Sequence, residues 1–164
     1  MMAAMCLSIF LLLFFMDMGI KQYIEDTFKD NEERKTMVPR VVFRKVYNKG
    51  FVFSVLDRYP EIVQGASIFA GAGIFLYDVW LFLSRKKKVR KIGMTLITAG
   101  ALSNIYDRLI REKVIDYVGV KCKNSFLSRI TANFADLYIV VGMVLVSISN
   151  IARKKKRKKK KNID

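Results

Sequence analysis

The sequence predicts a mainly α-helical membrane protein with four transmembrane helices and a small extracytoplasmic β-sheet. Three observations carry that expectation. The first is composition: 52% of the residues are hydrophobic, yet 30 Lys and Arg against 14 Asp and Glu leave a formal net charge of +16. The second is that these charges lie in blocks between apolar runs, where a soluble domain would spread them over its surface. The third is that four of the runs come near the length of about 20 residues that a helix rising 1.5 Å per residue needs to cross a bilayer.

The first span covers residues 1–24, interrupted by Asp17 and Lys21. It has no basic n-region and no small-residue cleavage site, so it reads as an uncleaved span and not a removable leader. An outer loop over 25–61 follows. Its Lys29 to Lys35 stretch is charged and expected to be irregular, whereas residues 40–47 (Arg-Val-Val-Phe-Arg-Lys-Val-Tyr) are β-branched and aromatic enough for a strand. Asn48 and Gly50 then mark a turn. The second span is 62–83, the third 92–110, and the fourth 134–151, with a second outer loop over 111–133.

Orientation follows from where bases occur without acids. In residues 85–91 six of seven are Lys or Arg, and residues 153–161 are nine consecutive bases. Both blocks belong in the cytoplasm, which places both termini there and satisfies the parity of four spans. One membrane domain, residues 1–152, is therefore followed by a polybasic cytoplasmic tail, 153–164. The tail has no interleaved aromatics and directly follows a span, so it reads as a topology determinant touching anionic lipid and not as a nucleic-acid site. Cys6 falls in the membrane and Cys122 in an outer loop, so neither a disulfide between them nor a metal site is expected.

The polar residues on the spans point to chemistry. An ionisable group at membrane depth costs about 2.5–3.5 kcal/mol on insertion scales and is a functional candidate by default. Asp17 and Lys21 stand at i, i+4 on one helical face, which suits either a self-neutralising ion pair or a direct role. Asn104, Asp107 and Arg108 share a face at the outer end of the third span, after the small residues Gly93, Ala99, Gly100 and Ser103. Asn133 and Asp136 open the fourth span at the same depth. Asp116 lies in the apolar stretch 114–118, which can fold back over the span ends to meet Asp136. Asp78 sits toward the cytoplasmic end, where snorkelling to the basic loop would pair it. The chain has no histidine, which removes the usual Ser-His hydrolases and the H-E-x-x-H zinc proteases. Carboxylate chemistry remains: two acids sharing one proton activate water without a metal or organic cofactor.

The chain resembles lipoprotein signal peptidase, the bacterial type II signal peptidase, over most of its length. The matching pieces are Asp17-x-x-x-Lys21, the 48–54 stretch Asn-Lys-Gly-Phe-Val-Phe-Ser, the 100–108 stretch Gly-Ala-Leu-Ser-Asn-Ile-Tyr-Asp-Arg, Val114-Ile115-Asp116-Tyr117, and Asn133-Phe134-Ala135-Asp136. Each is weak alone, but together they follow the family's order on the expected spans and loops. The resemblance implies a four-span aspartyl protease of the bacterial cytoplasmic membrane, and since a single chain carries both acids, a monomer would suffice. Such an enzyme cuts prolipoprotein signal peptides just before a diacylglyceryl-modified cysteine. It implies Asp116 and Asp136 as the catalytic pair, with Asn48, Gly50, Asn104, Arg108 and Asn133 lining the substrate site. Asp17, Lys21 and Asp107 would support it, and the outer sheet would be a cradle for substrate.

The chain departs from the family pattern at Phe51 and Val52, at Ala99-Gly100 and Ser103-Asn104, and at Phe134. These changes bear on substrate preference and helix packing more than on chemistry. Two other readings compete with the protease. A small transporter or assembly factor would need polar residues right across the membrane. A prolipoprotein-binding homologue without activity would not need both acids.

Overall fold

In the computed structural model, described at residues 1–30, 32–50, 56–84, 87–124, 128 and 130–161, the main elements are four helices and one four-stranded sheet. Phe51 and Val52, and with them any effect on substrate preference, lie outside the described residues, as do Arg85 and Lys86 of the basic connection.

Helix α1 (Met2–Thr27) grows from a run of Leu, Met and Phe with no glycine before Gly19 and no proline. Its burial is inverted relative to a soluble helix. Leu7, Leu12 and Phe15 are exposed, while Asp17 and Lys21 are both 0% exposed. Apolar outside and polar inside is the pattern of a helix whose solvent is lipid. Helix α2 (Pro60–Leu83) starts with Pro60 and Glu61 in its first turn, where a missing N–H and a negative charge are both favourable. It buries little beyond Val63, Ser67 and Leu81. Helix α3 (Lys88–Tyr106) packs against α1, α2 and α4, and nine of its residues are buried. Helix α4 (Phe134–Lys161) continues without a break through the basic run.

Three helices, α1, α2 and the Phe134–Lys155 part of α4, are long and apolar enough to cross a membrane. Helix α3, expected as the third of four spans, falls short of that measure for a physical reason: it buries polar residues such as Thr95, Ser103 and Asn104 against its neighbours, and its first turn carries Lys88, Arg90 and Lys91. Small residues make this packing close. A Cβ built on Gly93 would stand 2.9 Å from the Gly142 carbonyl oxygen, and one on Gly142 would stand 2.5 Å from that of Gly93. One on Gly100 would run into the Ala135 carbonyl, so α3 and α4 touch backbone to backbone.

The sheet is antiparallel throughout, in the order β1 (Glu33–Lys35), β2 (Val41–Asn48), β3 (Val114–Val120), β4 (Thr131–Ala132). Residues 33–35, expected to be irregular, thus form an edge strand. Glu33 pairs in register with Arg44, and its carboxylate reaches Lys121 at 2.5 Å and Arg44 at 3.6 Å. A charged edge strand is one way a sheet avoids further pairing. The expected strand over 40–47 is β2, with an irregularity between Phe43 and Val46 that precedes the Val46 to Asp116 pairing. Alternation on β3 does the rest: Ile115 and Tyr117 join Ile24 and Phe28 in a buried cluster against α1, while Asp116 faces the other way. The sheet is thereby clamped onto one end of the helix bundle. A five-residue π-helical turn, Asp107–Arg111, closes α3 and delivers the chain to β3.

Candidate active site

Asp136 sits in the first turn of α4 and Asn133 caps that helix. The Asn133 side-chain oxygen accepts the Asp136 N–H at 3.0 Å, and Asp136 Oδ2 accepts the Asn133 N–H at 3.2 Å, a reciprocal capping box. The cap fixes the rotamer of the acid. The Asn133 amide also donates to Asp116 Oδ1 at 2.8 Å, so one residue ties both carboxylates to the same place. Asn48, at the end of β2, donates to Asp116 Oδ2 at 3.2 Å, and its own oxygen accepts the Gly50 N–H at 3.0 Å. Asn104 donates to Asp136 Oδ1 at 2.9 Å.

Behind this layer lies a fully buried ionic centre. Lys21 Nζ is 2.8 Å from Asp17 Oδ2 and 2.8 Å from Asp107 Oδ2, and donates to Ser103 Oγ at 3.0 Å and Asn104 Oδ1 at 2.9 Å. An ammonium only donates, so Asn104 must turn its oxygen toward Lys21 and its NH2 toward Asp136. That one-way constraint runs from α1 through α3 to α4. Asp17 is the hub of the same centre: it accepts from Ser103 Oγ at 2.6 Å, from Tyr117 Oη at 2.8 Å, and from the Ala135 N–H at 3.2 Å. It therefore links α1, α3, β3 and α4.

Asp107 shares with Asn104 the contact to Lys21, as their spacing predicts, but unlike Asn104 and Arg108 it does not line the cavity. It turns toward α1, where it meets Lys21 and, at 2.8 Å, Arg111. The π-helical turn starting at Asp107 changes the angular spacing that a regular helix would impose. Arg108 donates from Nη2 to the Gly50 carbonyl at 3.1 Å and from Nη1 to the Asn104 carbonyl at 3.4 Å. The expected partner of Asp78, the basic connection, lies partly outside the described residues. Asp78 Oδ2 accepts the Thr98 hydroxyl at 2.5 Å on α3, and among the described residues it has no basic partner. A hydroxyl within the bundle is closer to hand than a cation at the membrane surface.

A cavity of about 730 Å³ opens onto this site. Asn48, Asn104, Arg108, Asp116 and Asp136 form its polar end. The remainder is apolar and runs between α2 (Ala66, Ala70, Gly71, Ile74), α3 (Ala101, Ile105) and α4 (Ile139, Val140, Met143). Burial, then the neighbouring charge of Asp136, push the Asp116 carboxyl up to about 7. The Tyr117 hydroxyl is likewise pushed up, by burial and then by the charge of Asp17, so it stays a donor. Among the described residues no cluster of three or more His, Cys, Asp or Glu side chains could hold a metal ion. The thiols of Cys6 and Cys122 are both free. Reading the sequence missed Tyr117 and Ser103 as parts of the ionic centre, although Tyr117 alternates with Asp116 on an apolar strand and was open to that inference.

A buried carboxylate on a strand, Asp116, and a half-buried one on a helix, Asp136, are thus held by asparagine amides at the polar end of an apolar cavity. The comparisons give the family. The profile of signal peptidase (SPase) II matches residues 9–152. The lipoprotein signal peptidase of Fusobacterium nucleatum is 28% identical over 155 residues, covering 93% of this chain and 89% of that one. That of Aquifex aeolicus is 30% identical over 141 residues, covering 85% and 81%. A solved bacterial membrane enzyme, determined in meso at 2.3 Å resolution, shares the fold with a TM-score of 0.79 at 20% identity, over 93% of this chain and 91% of its own. The chain belongs to the signal peptidase II family.

Proposed function

We propose that this enzyme, an aspartic-type hydrolase of the signal peptidase II family, removes signal peptides from prolipoproteins with Asp116 and Asp136 as its catalytic pair. The cut falls before a diacylglyceryl-modified cysteine. The observation that carries the assignment is the convergence of both carboxylates on Asn133, at the polar end of an apolar cavity. Asp116, whose carboxyl is pushed up to about 7, holds the shared proton in the resting state. Asp136 accepts a backbone N–H at the start of α4, a position suited to negative charge, and on that ground is assigned as the ionised partner. Asp136 takes a proton from water as the oxygen attacks the scissile carbonyl. Asp116 gives its proton to the developing oxyanion; on collapse Asp136 passes the proton it took from water to the leaving amine, and Asp116 recovers its own from the tetrahedral hydroxyl. Acid–base assistance of this kind is worth about 10²–10⁴-fold in rate.

Asn48, Asn104 and Asn133 keep the two acids facing each other. Arg108, which lines the cavity, holds the Gly50 carbonyl, and Asp17, Lys21 and Asp107 hold Asn104 in its working orientation. The apolar length of the cavity suits a signal peptide or acyl chains. Helix α3 is taken as the fourth crossing, giving a 1–152 membrane domain with both termini in the bacterial cytoplasm and the sheet resting on the outer face as a cradle. The acid-free connection and the tail 153–164 lie against anionic lipid. Each chain carries both acids, so a monomer suffices. The test is incubation of the purified protein with a prolipoprotein, with and without its diacylglyceryl group, and mass analysis of the products. Cleavage of the lipidated form alone, with the modified cysteine as the new N-terminus, supports the reading. Cleavage elsewhere, or of the unlipidated form equally well, overturns it.

A further inference from the structure

The end of the bundle opposite the aspartates holds charges that the reaction does not use. Arg90 and Lys91, in the first turn of α3, are 5% and 7% exposed. Among the described residues neither has a carboxylate partner. Arg90 donates from Nη2 to Asn150 Oδ1 on α4, and its Nε is buried without an acceptor. Lys91 Nζ reaches the Phe82 carbonyl at 3.4 Å and lies 5.1 Å from the Phe82 ring centre. Asp78, the acid one turn before Phe82, is engaged by Thr98 instead.

Lys87 completes the picture. It is the left-handed N-cap of α3 (φ 82°), and no side chain caps the first amides of that helix. Its ammonium stacks over Trp80 at 4.0 Å. It is held below the usual lysine range by partial burial and then by the charges of Arg153, Arg90 and Lys91. Arg90, Lys91 and, from α4, Arg153 thus all act on Lys87, and among the described residues none of the four cations is paired with an acid. Burying an unpaired charge is strongly unfavourable, so such a cluster calls for an anion.

We propose that Lys87, Arg90, Lys91 and Arg153 bind the phosphate of an anionic phospholipid. A guanidinium fork matches phosphate oxygens, and uncapped amides at a helix start favour negative charge. Trp80 suits the headgroup level, where tryptophan is enriched. The surrounding surface decides for lipid over free phosphate: Leu83, Val89, Ile148 and Ile151 flank the cluster and are all exposed. Acyl chains would cover them and inorganic phosphate would not. The site differs from the diffuse attraction of a lysine-rich tail because it uses two buried cations fixed by Asn150 and Phe82. It rests on the membrane reading of the chain and not on the aspartate pair.

The full-length protein, in neutral detergent, is titrated separately with phosphatidylglycerol, phosphatidylcholine and inorganic phosphate. Bound lipid is counted by native mass spectrometry, and Tm is followed in parallel. One retained phosphatidylglycerol per chain is expected, with a rise in Tm that neither other probe gives. Lys87→Gln with Arg153→Gln should weaken binding about fivefold per charge removed, since each base near a membrane surface contributes about that factor. Arg90→Lys keeps the charge and should weaken binding by losing the fork; the surface pair carries the test if that variant does not fold. Changing Lys154, Lys155 and Lys158 together to Gln should leave affinity within about twofold. Equal stabilisation by inorganic phosphate would end the lipid assignment, and equal retention of phosphatidylcholine would end charge recognition. Binding that follows the three tail lysines and ignores Lys87 and Arg153 would replace the site with diffuse attraction.

Discussion

Replacing Lys21 with Met removes the ammonium at the centre of the buried ionic group while keeping most of the side-chain volume. Both partners are fully buried, so Asp17 and Asp107 would be left as carboxylates without their shared cation. Breaking a buried pair in this way costs about 3–5 kcal/mol. The low end applies here. Asp17 keeps Tyr117 Oη, Ser103 Oγ and the Ala135 N–H, and Asp107 keeps Arg111 at 2.8 Å. A loss of about 3 kcal/mol in a chain of this size lowers Tm by roughly 6–12 °C. Asp17→Asn added to Lys21→Met removes one stranded charge and should recover part of that loss. The assay is thermal unfolding of wild type, both single variants and the double variant in the same detergent. Cleavage is measured alongside, because freeing Asn104 to flip would cost activity even where the fold survives. A Lys21→Met protein that melts within 1 °C of wild type would refute the reasoning. So would a double variant whose loss equals the sum of the singles.

Other predictions rest on separate features. The Asp116 carboxyl, pushed up from an ordinary 3.8 to about 7, contributes stability that is present below about pH 4 and lost as pH rises through 7. Three pH units correspond to about 4 kcal/mol, so Asp116→Asn should gain on wild type by a few kcal/mol between pH 4 and pH 8 in paired unfolding curves. The same titration gives cleavage an alkaline limb near pH 7, where the pair loses its shared proton; a rate still rising at pH 9 would count against it. Gly100→Ala drives a methyl into the Ala135 carbonyl and should cost about 1–3 kcal/mol by overpacking, read from Tm. Asn133→Ala should cost about 1 kcal/mol as a lost helix cap but a far larger factor in kcat, since its amide also orients both acids.

What the sequence disclosed, and what it hid, divides along physical lines. Spans and their polar interruptions were legible because lipid makes every buried charge costly and so conspicuous: Asp17, Lys21, Asn104, Asp116, Asn133 and Asp136 all come to one end of the bundle. Strand β2 was legible from β-branched and aromatic content. Edge strand β1 was not, because Glu33, Arg34 and Lys35 have no strand-like composition and owe their conformation to pairing with β2. That Arg108 lines the cavity while its neighbour Asp107 does not is set where a π-helical turn begins, which no spacing rule anticipates. The close packing of helix α3 was legible from its small residues Gly93, Ala99, Gly100 and Ser103, whereas its burial among three other helices was not. The Asn133 and Asp136 spacing carried more than its periodicity, since an Asn followed three residues later by an acid before an apolar run is a helix-start signal.

The most direct test of the account is cleavage of a diacylglyceryl-modified prolipoprotein by wild type, Asp116→Asn and Asp136→Asn, each verified as folded by its melting curve. Asparagine keeps the shape of the acid but cannot share or take up the proton. The account predicts that wild type cuts before the lipidated cysteine and that both variants lose activity by at least about 10²-fold. Activity near wild type in either variant would contradict the assignment of the pair.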